Sequence, residues 1–272
     1  WMRTKDAQRA GPEAHKILDK LKLLSQTNAR LAPDKVTYTS TINAWVSHQD
    51  PMRASQKADA LLREMEQLSL TQAEKGPDII AYTTVLTAMA KAGDPNAAKD
   101  ILQRMDKYGK EPPNVHFCNA LIHLFAKSNT DGGTAESVLR NMEMQGLQPD
   151  KITYSAVIST YANHGDATKA VQLLDELQGK WEQSGRKEMF LPNSQIFLSV
   201  LNALRNSQAP DALDKAFQLL GRLKALYEAN QHDPNLEPNR IIYSQFFQII
   251  CHSNDAERAA KLATDILEDM KM

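Results

Sequence analysis

The 272-residue sequence has few cysteines, few aromatic residues and no long apolar run. Its two cysteines, Cys118 and Cys251, cannot form a disulfide framework, and neither stands in a C-x-x-C or Cys/His ligand spacing. This scarcity predicts a reducing compartment. No stretch approaches the roughly 20 apolar residues of a membrane-spanning helix, so we expect no span. The chain begins with Trp1 rather than Met, which predicts a fragment truncated at both ends, without its targeting segment.

An excess of charge of one sign is also lacking, because 32 Lys and Arg balance 33 Asp and Glu to a formal charge of −1. Such a balance argues against attraction of the whole molecule to nucleic acid or anionic lipid. The sequence contains no Gly-rich phosphate loop, G-x-S-x-G elbow or metal-protease helix. His116 and His123 are seven residues apart, but no third ligand accompanies them. We therefore predict no enzyme, no catalytic residue, no cofactor and no metal site.

What the sequence does contain is an octet, Ala-x-x-(Ile/Leu/Val)-Leu-x-x-(Met/Leu), that recurs seven times. The copies are Ala14–Leu21, Ala58–Met65, Ala98–Met105, Ala135–Met142, Ala170–Leu177, Ala216–Leu223 and Ala263–Met270. Apolar residues at i, i+3, i+4 and i+7 form one stripe of an α-helix, with a small Ala where a neighbouring helix approaches closely. We name this predicted element the B helix.

A second pattern precedes six of the octets and predicts another helix, the A helix. It is an aromatic residue or Cys followed by apolar residues four and seven positions later. The copies are Tyr38/Ile42/Trp45, Tyr82/Leu86/Met89, Cys118/Ile122/Phe125, Tyr154/Ile158/Tyr161, Phe197/Leu201/Leu204 and Tyr243/Phe247/Ile250. We expect these side chains in the core and both cysteines buried or half-buried. Breakers and caps such as Asp50-Pro51 and Gly165-Asp166 separate A from B, so each repeat is a helical hairpin.

Pro followed by Asp or Asn closes each repeat and sets its boundaries. The boundaries give a partial repeat 1–34, complete repeats 35–78, 79–114, 115–150, 151–193 and 194–239, and a partial repeat 240–272. One hairpin cannot bury its apolar stripe alone, so hairpins must stack. The prediction is therefore an all-α protein, a right-handed α-solenoid of stacked antiparallel helical hairpins forming a single domain over 1–272. The extra residues of the longer repeats are expected in extended B helices or surface loops.

Several landmarks recur together and carry a family resemblance. Pro-Asp-Lys-Val-Thr-Tyr-Thr stands at 33–39, with related segments at 77–83 and 149–155, and Met-x-x-x-Gly-Leu-Gln-Pro-Asp at 142–150. The Gly of the tetratricopeptide motif Trp-x2-Leu-Gly-x2-Tyr is missing from every A helix. The chain instead resembles the pentatricopeptide repeat family, strongly over 35–193 and more loosely over 194–272. The resemblance implies sequence-specific binding of single-stranded RNA in mitochondria or plastids, about one base per repeat.

The resemblance also implies base-reading residues at the fifth and last positions of each repeat. The pairs are Thr39 with Asp78, Thr83 with Asn114, Asn119 with Asp150, Ser155 with Asn193, and Leu198 with Asn239, while Ser244 has no closing partner in the sequence. By the family's usual correspondence, Thr with Asp favours G, Thr or Ser with Asn favours A, and Asn with Asp favours U. The implied core is 5′-GAUA-3′.

The second residue of each repeat is implied to wedge beside the base. These residues are Val36, Ile80, His116, Ile152 and Ile241, and Gln195 in repeat 194–239. Gln195 and Leu198 both depart from the pattern, so repeat 194–239 could keep its place in the stack without reading a base. Lys91 and Lys127 stand eight residues after the fifth position, and the resemblance implies that they contact phosphate.

The charges divide unevenly between the two kinds of helix. The A stretches 35–48, 79–93, 115–129, 151–165, 194–208 and 240–253 hold six of the basic residues and no acidic one, a charge of +6. The rest of the chain is therefore −7. If A helices line the inner face, that face suits a flexible anionic strand. The depletion of acid also fits A helices that are simply more buried.

Three functions remain open on the sequence alone. The leading one is an RNA-binding protein of organellar RNA stability, processing or translation, with RNA-processing or ribosome-associated proteins as further partners. The second is a helical scaffold whose inner face holds a peptide or helix of an organellar assembly. The third, part of an RNA-processing enzyme, requires residues that this chain does not contain.

Overall fold

The computed structural model describes residues 7–94, 96–109, 111–127, 132–207, 209–251 and 256–269. Within these ranges the chain forms thirteen α-helices and no strand. Met270, the last residue of the seventh octet, lies outside the described residues. The helices are α1 (Ala7–Ser25), α2 (Lys35–Val46), α3 (Pro51–Ser69), α4 (Ile79–Ala92), α5 (Ala97–Tyr108), α6 (Val115–Lys127), α7 (Gly132–Met144), α8 (Lys151–Asn163), α9 (Ala167–Gln183), α10 (Ser194–Ser207), α11 (Ala212–Ala229), α12 (Arg240–Cys251) and α13 (Ala256–Asp269). Even-numbered helices are the predicted A helices, and odd-numbered helices are the predicted B helices.

Short polar residues at the predicted breaks start several of these helices. Asp50 accepts a hydrogen bond from the backbone N–H of Arg53 at the start of α3, and Asp166 accepts one from Lys169 at the start of α9. Such a cap satisfies an N–H group that has no partner within the helix. Pro51 adds a preset φ angle in the first turn of α3. The alternation of A and B helices therefore follows from local sequence.

The octet predicts the buried side of the inner B helices correctly. In α3, Ala58, Leu61, Leu62 and Met65 are at most 2% exposed, and the octets of α9 and α11 are similarly buried. Among the described residues, two octet positions are exposed, Ile17 of α1 at 43% and Leu102 of α5 at 37%. The stripe is a local pattern, and burial also needs a neighbouring helix over each of its edges.

The aromatic stripe of the A helices is buried in α2, α4, α8 and α10, as predicted. In α12 the prediction is wrong by one position, because Ile242, Phe246 and Ile249 are buried while Tyr243 and Phe247 are half-buried. An inner A helix such as α4 lies between two other A helices, whereas α12 packs on α10, α11 and α13. Cys118 is buried as expected, but Cys251 is exposed, which corrects the second half of that prediction.

The longer repeats lengthen their B helices, as the sequence suggested. Helices α3, α9 and α11 have 19, 17 and 18 residues, against 12 in α5. Each long helix is followed by a short 3-10 segment before the next A helix, at Ala73–Lys75, Glu188–Phe190 and Pro234–Leu236. A further 3-10 segment, Ala29–Leu31, follows α1. The extra residues of the longer repeats therefore lie in the B helices and the 3-10 segments, and not in the A helices.

The helices group into two compact units. The first is Trp1–Thr130 with Arg140–Gln148, and the second is Asp131–Leu139 with Pro149–Met272. In the first unit, α4 packs against both α2 and α6, and α3 packs against α2 and α4. In the second, α10 packs against both α8 and α12, and α9 packs against α8 and α10. Each unit is thus a stack of antiparallel hairpins, which confirms the predicted all-α solenoid class; the single domain over 1–272 remains a prediction.

Candidate nucleic-acid interface

Aliphatic side chains at the second position of the A helices point into solvent. In the first unit, Val36 is 66% and Ile80 is 60% exposed. In the second unit, Ile152 is 53% and Ile241 is 57% exposed. All four occupy the first turn of an A helix, one residue after its first residue, and His116 of α6 is exposed at the same position. A recurring exposed aliphatic residue contributes little to folding, so its position marks a surface available to a ligand.

The fifth residues lie three positions further on and therefore share this face of each helix. Thr39 and Thr83 are half-buried, and their hydroxyls donate hydrogen bonds to the carbonyls of Lys35 (2.9 Å) and Ile79 (2.6 Å). Ser244 donates in the same way to the carbonyl of Arg240, at 2.8 Å. Each hydroxyl has one hydrogen, so while this bond lasts its oxygen offers only acceptor sites.

The remaining fifth residues are not all alike. Ser155 is half-buried, as Thr39 and Thr83 are. Asn119 of α6 is only 8% exposed, so most of its amide is covered by the surrounding helices. Leu198 of α10 is half-buried and carries no hydrogen-bonding group. The six positions that the sequence treats as equivalent therefore differ in what they present.

Each last residue with Asp caps the A helix that follows it. Asp34 accepts from the N–H of Thr37 at 2.8 Å, and Asp78 accepts from the N–H of Ala81 at 2.9 Å. Asp150 forms a capping box with Thr153, in which each side chain accepts a hydrogen bond from the other residue's backbone N–H. Hydrogen bonds from the Thr37 hydroxyl and backbone lower the pKa of Asp34, so this carboxylate is ionised at neutral pH and can only accept.

The Asn residues at the last position cap in the same way. Asn114 Oδ1 accepts from the N–H of Phe117 and Asn193 Oδ1 from that of Ile196, at 2.9 and 3.1 Å. Asn239 Oδ1 accepts from the N–H groups of Ile241 and Ile242. An amide caps with its oxygen and keeps two N–H donors on its nitrogen, whereas a capping carboxylate has only further acceptor sites. Capping therefore preserves the chemical difference between Asp and Asn at this position.

Both members of four predicted pairs lie in one unit. Thr39 with Asp78 and Thr83 with Asn114 lie in the first unit. Ser155 with Asn193 and Leu198 with Asn239 lie in the second. Asn119 belongs to the first unit and Asp150 to the second, and their pairing remains a prediction.

Ion pairs reduce the positive charge that the sequence assigns to the A stretches. Lys35 Nζ lies 3.1 Å from Asp78 Oδ2, and Lys151 Nζ lies 3.5 Å from Glu188 Oε1. Both carboxylates stand outside the A stretches in sequence but beside them in space. The value of +6 is therefore larger than the charge these lysines leave unpaired on the A-helix face.

The two predicted phosphate-binding lysines are both exposed near the ends of their helices. Lys91 Nζ donates to the backbone carbonyl of Val46, 3.2 Å away, and so joins the end of α4 to the end of α2. Asn206 holds the equivalent place in α10, and its Nδ2 donates to the carbonyl of Ala162 in α8 at 3.0 Å. This position therefore links successive A helices, a role that the sequence did not indicate.

A second set of contacts that the sequence did not indicate joins α10 to both neighbouring A helices. Ser199 Oγ lies 3.2 Å from Ser159 Oγ of α8. On the other side, Arg205 Nη1 donates to Gln245 Oε1 (2.7 Å) and Gln248 Oε1 (2.8 Å) of α12. The only sequence signal for these contacts is polar residues on the side of an A helix that faces the next repeat.

The described residues hold neither a metal-binding cluster nor a membrane-spanning helix. Among the described residues, no group of three or more His, Cys, Asp or Glu side chains could hold a metal ion. In the described helices, none combines the length and the apolar character needed to cross a bilayer. The candidate site is therefore the A-helix face, which carries the second, fifth and last residues of the repeats.

Models of known protein families match the centre of the chain. A pentatricopeptide repeat domain matches residues 60–128, a PPR repeat family matches residues 113–163, and a PPR repeat matches residues 152–181. These matches overlap and follow one another across α3 to α9. They cover the region in which the sequence motifs are clearest.

Curated relatives are pentatricopeptide repeat-containing proteins from Arabidopsis thaliana. One is 27% identical over 148 residues, 54% of this chain and 14% of the relative. Another, named as mitochondrial, is 26% identical over 153 residues, 56% of this chain and 14% of the relative. The matched segments thus span about a seventh of each relative's length.

Solved structures similar to this one include that of the pentatricopeptide repeat protein PPR10 in complex with an 18-nt psaJ RNA element. That match covers 93% of this chain and 38% of PPR10, with 18% identity and a TM-score of 0.46. The structure of PPR10 from maize matches with 15% identity and a TM-score of 0.29, over 94% of this chain and 46% of that one. The repeated hairpins, their closing Pro-Asp and Pro-Asn steps and the three family matches identify residues 60–181 of this chain as pentatricopeptide repeats.

Proposed function

We propose that this chain binds single-stranded RNA along the exposed face of its A helices, with about one base for each repeat. The observation that carries the proposal is the recurring arrangement in the first turn of the A helices. Helices α2, α4 and α8 begin with a capping Asp from a repeat junction. Their second residue is an exposed aliphatic side chain, and the fifth residue of the repeat follows three positions later on the same face. An apolar surface beside directed hydrogen-bonding groups suits the flat face and polar edge of an unstacked base.

The hydrogen bonds within the protein support the proposed base preferences. In repeat 35–78, Thr39 and Asp78 both offer acceptors, which match the N1–H and N2–H2 donors of guanine. In repeat 79–114, Thr83 offers an acceptor and Asn114 offers donors from Nδ2. That combination matches the N6–H2 donor and N1 acceptor of adenine. By the correspondence that the family resemblance implies, Ser155 with Asn193 favours adenine and Asn119 with Asp150 favours uracil, which gives the core 5′-GAUA-3′.

The cellular role follows from occupation of a transcript rather than from bond chemistry. A bound repeat protein protects, exposes or recruits processing to the RNA it covers, and further RNA-processing or ribosome-associated proteins would join it there. We place this role in mitochondria or plastids, and mitochondrial relatives support an organelle.

The last residue of a repeat has two functions in this proposal, capping and base reading, and one pair of variants separates them. Asp78→Asn keeps a good N-cap but loses the ion pair with Lys35, so the free energy of unfolding should fall by less than about 1 kcal/mol. It replaces an acceptor with donors, so base preference at one position should move from G to A. Asp78→Ala removes both the ion pair and the cap and should cost about 1 kcal/mol more than Asp78→Asn.

The measurement is selection from a random single-stranded RNA pool with each protein, followed by a salt titration of the best binder. We expect the wild-type protein to enrich a short RNA motif, and its log affinity to fall as log salt concentration rises. In Asp78→Asn, the preferred base should change at one position of that motif. If the wild-type protein enriches no motif, or binds weakly without salt dependence, the proposal is wrong. The exposed face of the A helices would then be interpreted as a binding surface for a peptide or helix of a protein partner.

A further inference from the structure

Arg205 of α10 is an arginine held by neutral partners. Its Nη1 donates to the amide oxygens of Gln245 and Gln248, and its Nε and Nη2 each lie 3.4 Å from Asn206 Oδ1. Among the described residues, every acceptor of this guanidinium is therefore an uncharged amide. Arg222 in the same repeat differs, because its Nη2 lies 2.7 Å from the carboxylate of Asp175. The charge of Arg205 is held in place but not neutralised.

The guanidinium lies beside two successive fifth positions. Arg205 follows Leu198 by seven residues, which is about two helical turns, so both are on the same side of α10. Its partner Gln248 follows Ser244, the fifth residue of the next repeat, by four residues and shares a face of α12. A strand that passes from one of these fifth positions to the other would run past Arg205.

Repeat 194–239 lacks the groups that would read a base. Leu198 offers neither donor nor acceptor at the fifth position, and the exposed Gln195 replaces the aliphatic wedge. The helix itself is fixed by both neighbours through Ser199, Asn206 and Arg205. The repeat therefore combines a fixed cation with a base position that has no selective contact.

We propose that repeat 194–239 holds the RNA by a phosphate of its backbone, through Arg205, and leaves the base opposite unread. This inference rests on the proposed function. The ligand chemistry is a phosphodiester oxygen, which can accept from the one guanidinium N–H that these contacts leave over, on Nη2. Because Gln245 and Gln248 already position the side chain, little conformational freedom would be lost on binding.

The test uses RNAs that carry each of the four nucleotides at the position opposite repeat 194–239 within the selected motif. Wild-type protein should bind all four within about twofold, because no group there discriminates. Arg205→Gln should weaken binding to all four by a similar factor, about tenfold for a charge-assisted hydrogen bond. It should also reduce the slope of log affinity against log salt by about 0.7, the value for one single-strand phosphate contact.

Two further variants make the result decisive. Arg222→Gln removes the same charge from the B helix of this repeat and should leave both affinity and salt slope nearly unchanged. Leu198→Thr supplies the missing polar group opposite Asn239 and should create a preference for A at that position alone.

Either a strong base preference in the wild-type protein or an unchanged salt slope in Arg205→Gln overturns this inference, while RNA binding by the wild type still supports the proposed function. If the wild-type protein binds no RNA, both fail. Arg205→Lys and an unfolding curve for each variant identify loss of folding, since Lys keeps the charge and should retain the salt slope.

Discussion

Arg104 Nε donates a 3.0 Å hydrogen bond to Glu66 Oε1, and the two side chains are only 8% and 4% exposed. The pair joins α5 to α3 in the first unit, where Arg104 Nη1 also binds Asp59 (2.5 Å) and Asp100 (2.8 Å). Desolvation acts to lower the pKa of Arg104, but its hydrogen bonds to the three carboxylates outweigh it and raise the pKa. The guanidinium therefore stays charged, and it compensates carboxylates that could not be buried alone.

Arg104→Met should destabilise the protein by about 3–5 kcal/mol, because it leaves the Glu66 carboxylate buried without a counter-charge. The matched control is Arg63→Met, which removes an arginine from the same cluster. Arg63 pairs with Asp59 and Asp100, but its side chain is 54% exposed, so its loss should cost less than about 1 kcal/mol. Urea unfolding measures both. Equal losses in the two variants would show that burial does not govern this cluster.

Gly132→Ala should destabilise the second unit, because a Cβ at this position would overlap the ring of Tyr161. The cost of such overpacking is about 1–3 kcal/mol. Gly179 offers a contrast, since it lies inside α9 and a Cβ there would meet nothing within 4 Å. Gly179→Ala should therefore stabilise the protein by up to about 1 kcal/mol through helix propensity. Thermal unfolding compares them, and a shift of both variants in the same direction would contradict the packing assigned to Gly132.

Ile152→Ser tests whether the exposed aliphatic residues serve binding rather than folding. The side chain is 53% exposed, so the free energy of unfolding should change by less than about 0.5 kcal/mol. RNA affinity should fall at the same time, because the proposed apolar wedge beside one base is lost. Val157→Ala on the same helix is the control, since Val157 is 0% exposed and its truncation should lower stability instead. A large stability loss in Ile152→Ser would assign this residue to the core.

The two cysteines should react at very different rates in the folded protein. Cys251 is exposed, whereas Cys118 is 6% exposed and burial raises its pKa to about 11. A thiol-specific reagent at pH 8 should therefore modify one thiol per chain at once and the second only after unfolding, because the thiolate is the reactive form. Fast modification of both thiols in native protein would contradict the burial of Cys118.

The raised pKa of Cys118 also predicts a change of stability in alkali. The pKa of the unfolded thiol is near its ordinary value of 9.0, while the pKa of the buried thiol in the folded protein is about 11. The contribution of this group is thus complete below pH 9 and decreases as pH rises through 11. Cys118→Ser should show less loss of stability over this range than the wild type, as measured by unfolding at a series of pH values.

Much of the fold could be predicted from the sequence because its determinants are local. The octet and the aromatic stripe recur with the period of a helix and so predict one. Helix starts are marked by residues whose side chain accepts from the N–H three residues later, namely Asp34, Asp50, Asp78 and Asp166. Repetition then implies stacking, since one hairpin cannot cover its own apolar stripe. The candidate site was predictable to the same extent, as residues of the first helical turn that recur with the period.

Partners and exposure were decided by the tertiary structure. Lys35 pairs with Asp78, and Arg205 donates to Gln245, although about one repeat of sequence separates each pair. Asn119 is buried, whereas Thr39 and Thr83, at the same position of their repeats, are only half-buried. The sequence determined by itself the helices, their order, their caps and the recurring positions that we propose face a ligand. Only the packed structure decided which charges are neutralised, which side of α12 is buried and which cysteine is exposed. The reason is that each of these depends on how neighbouring helices align, and a helical period carries no information about that alignment.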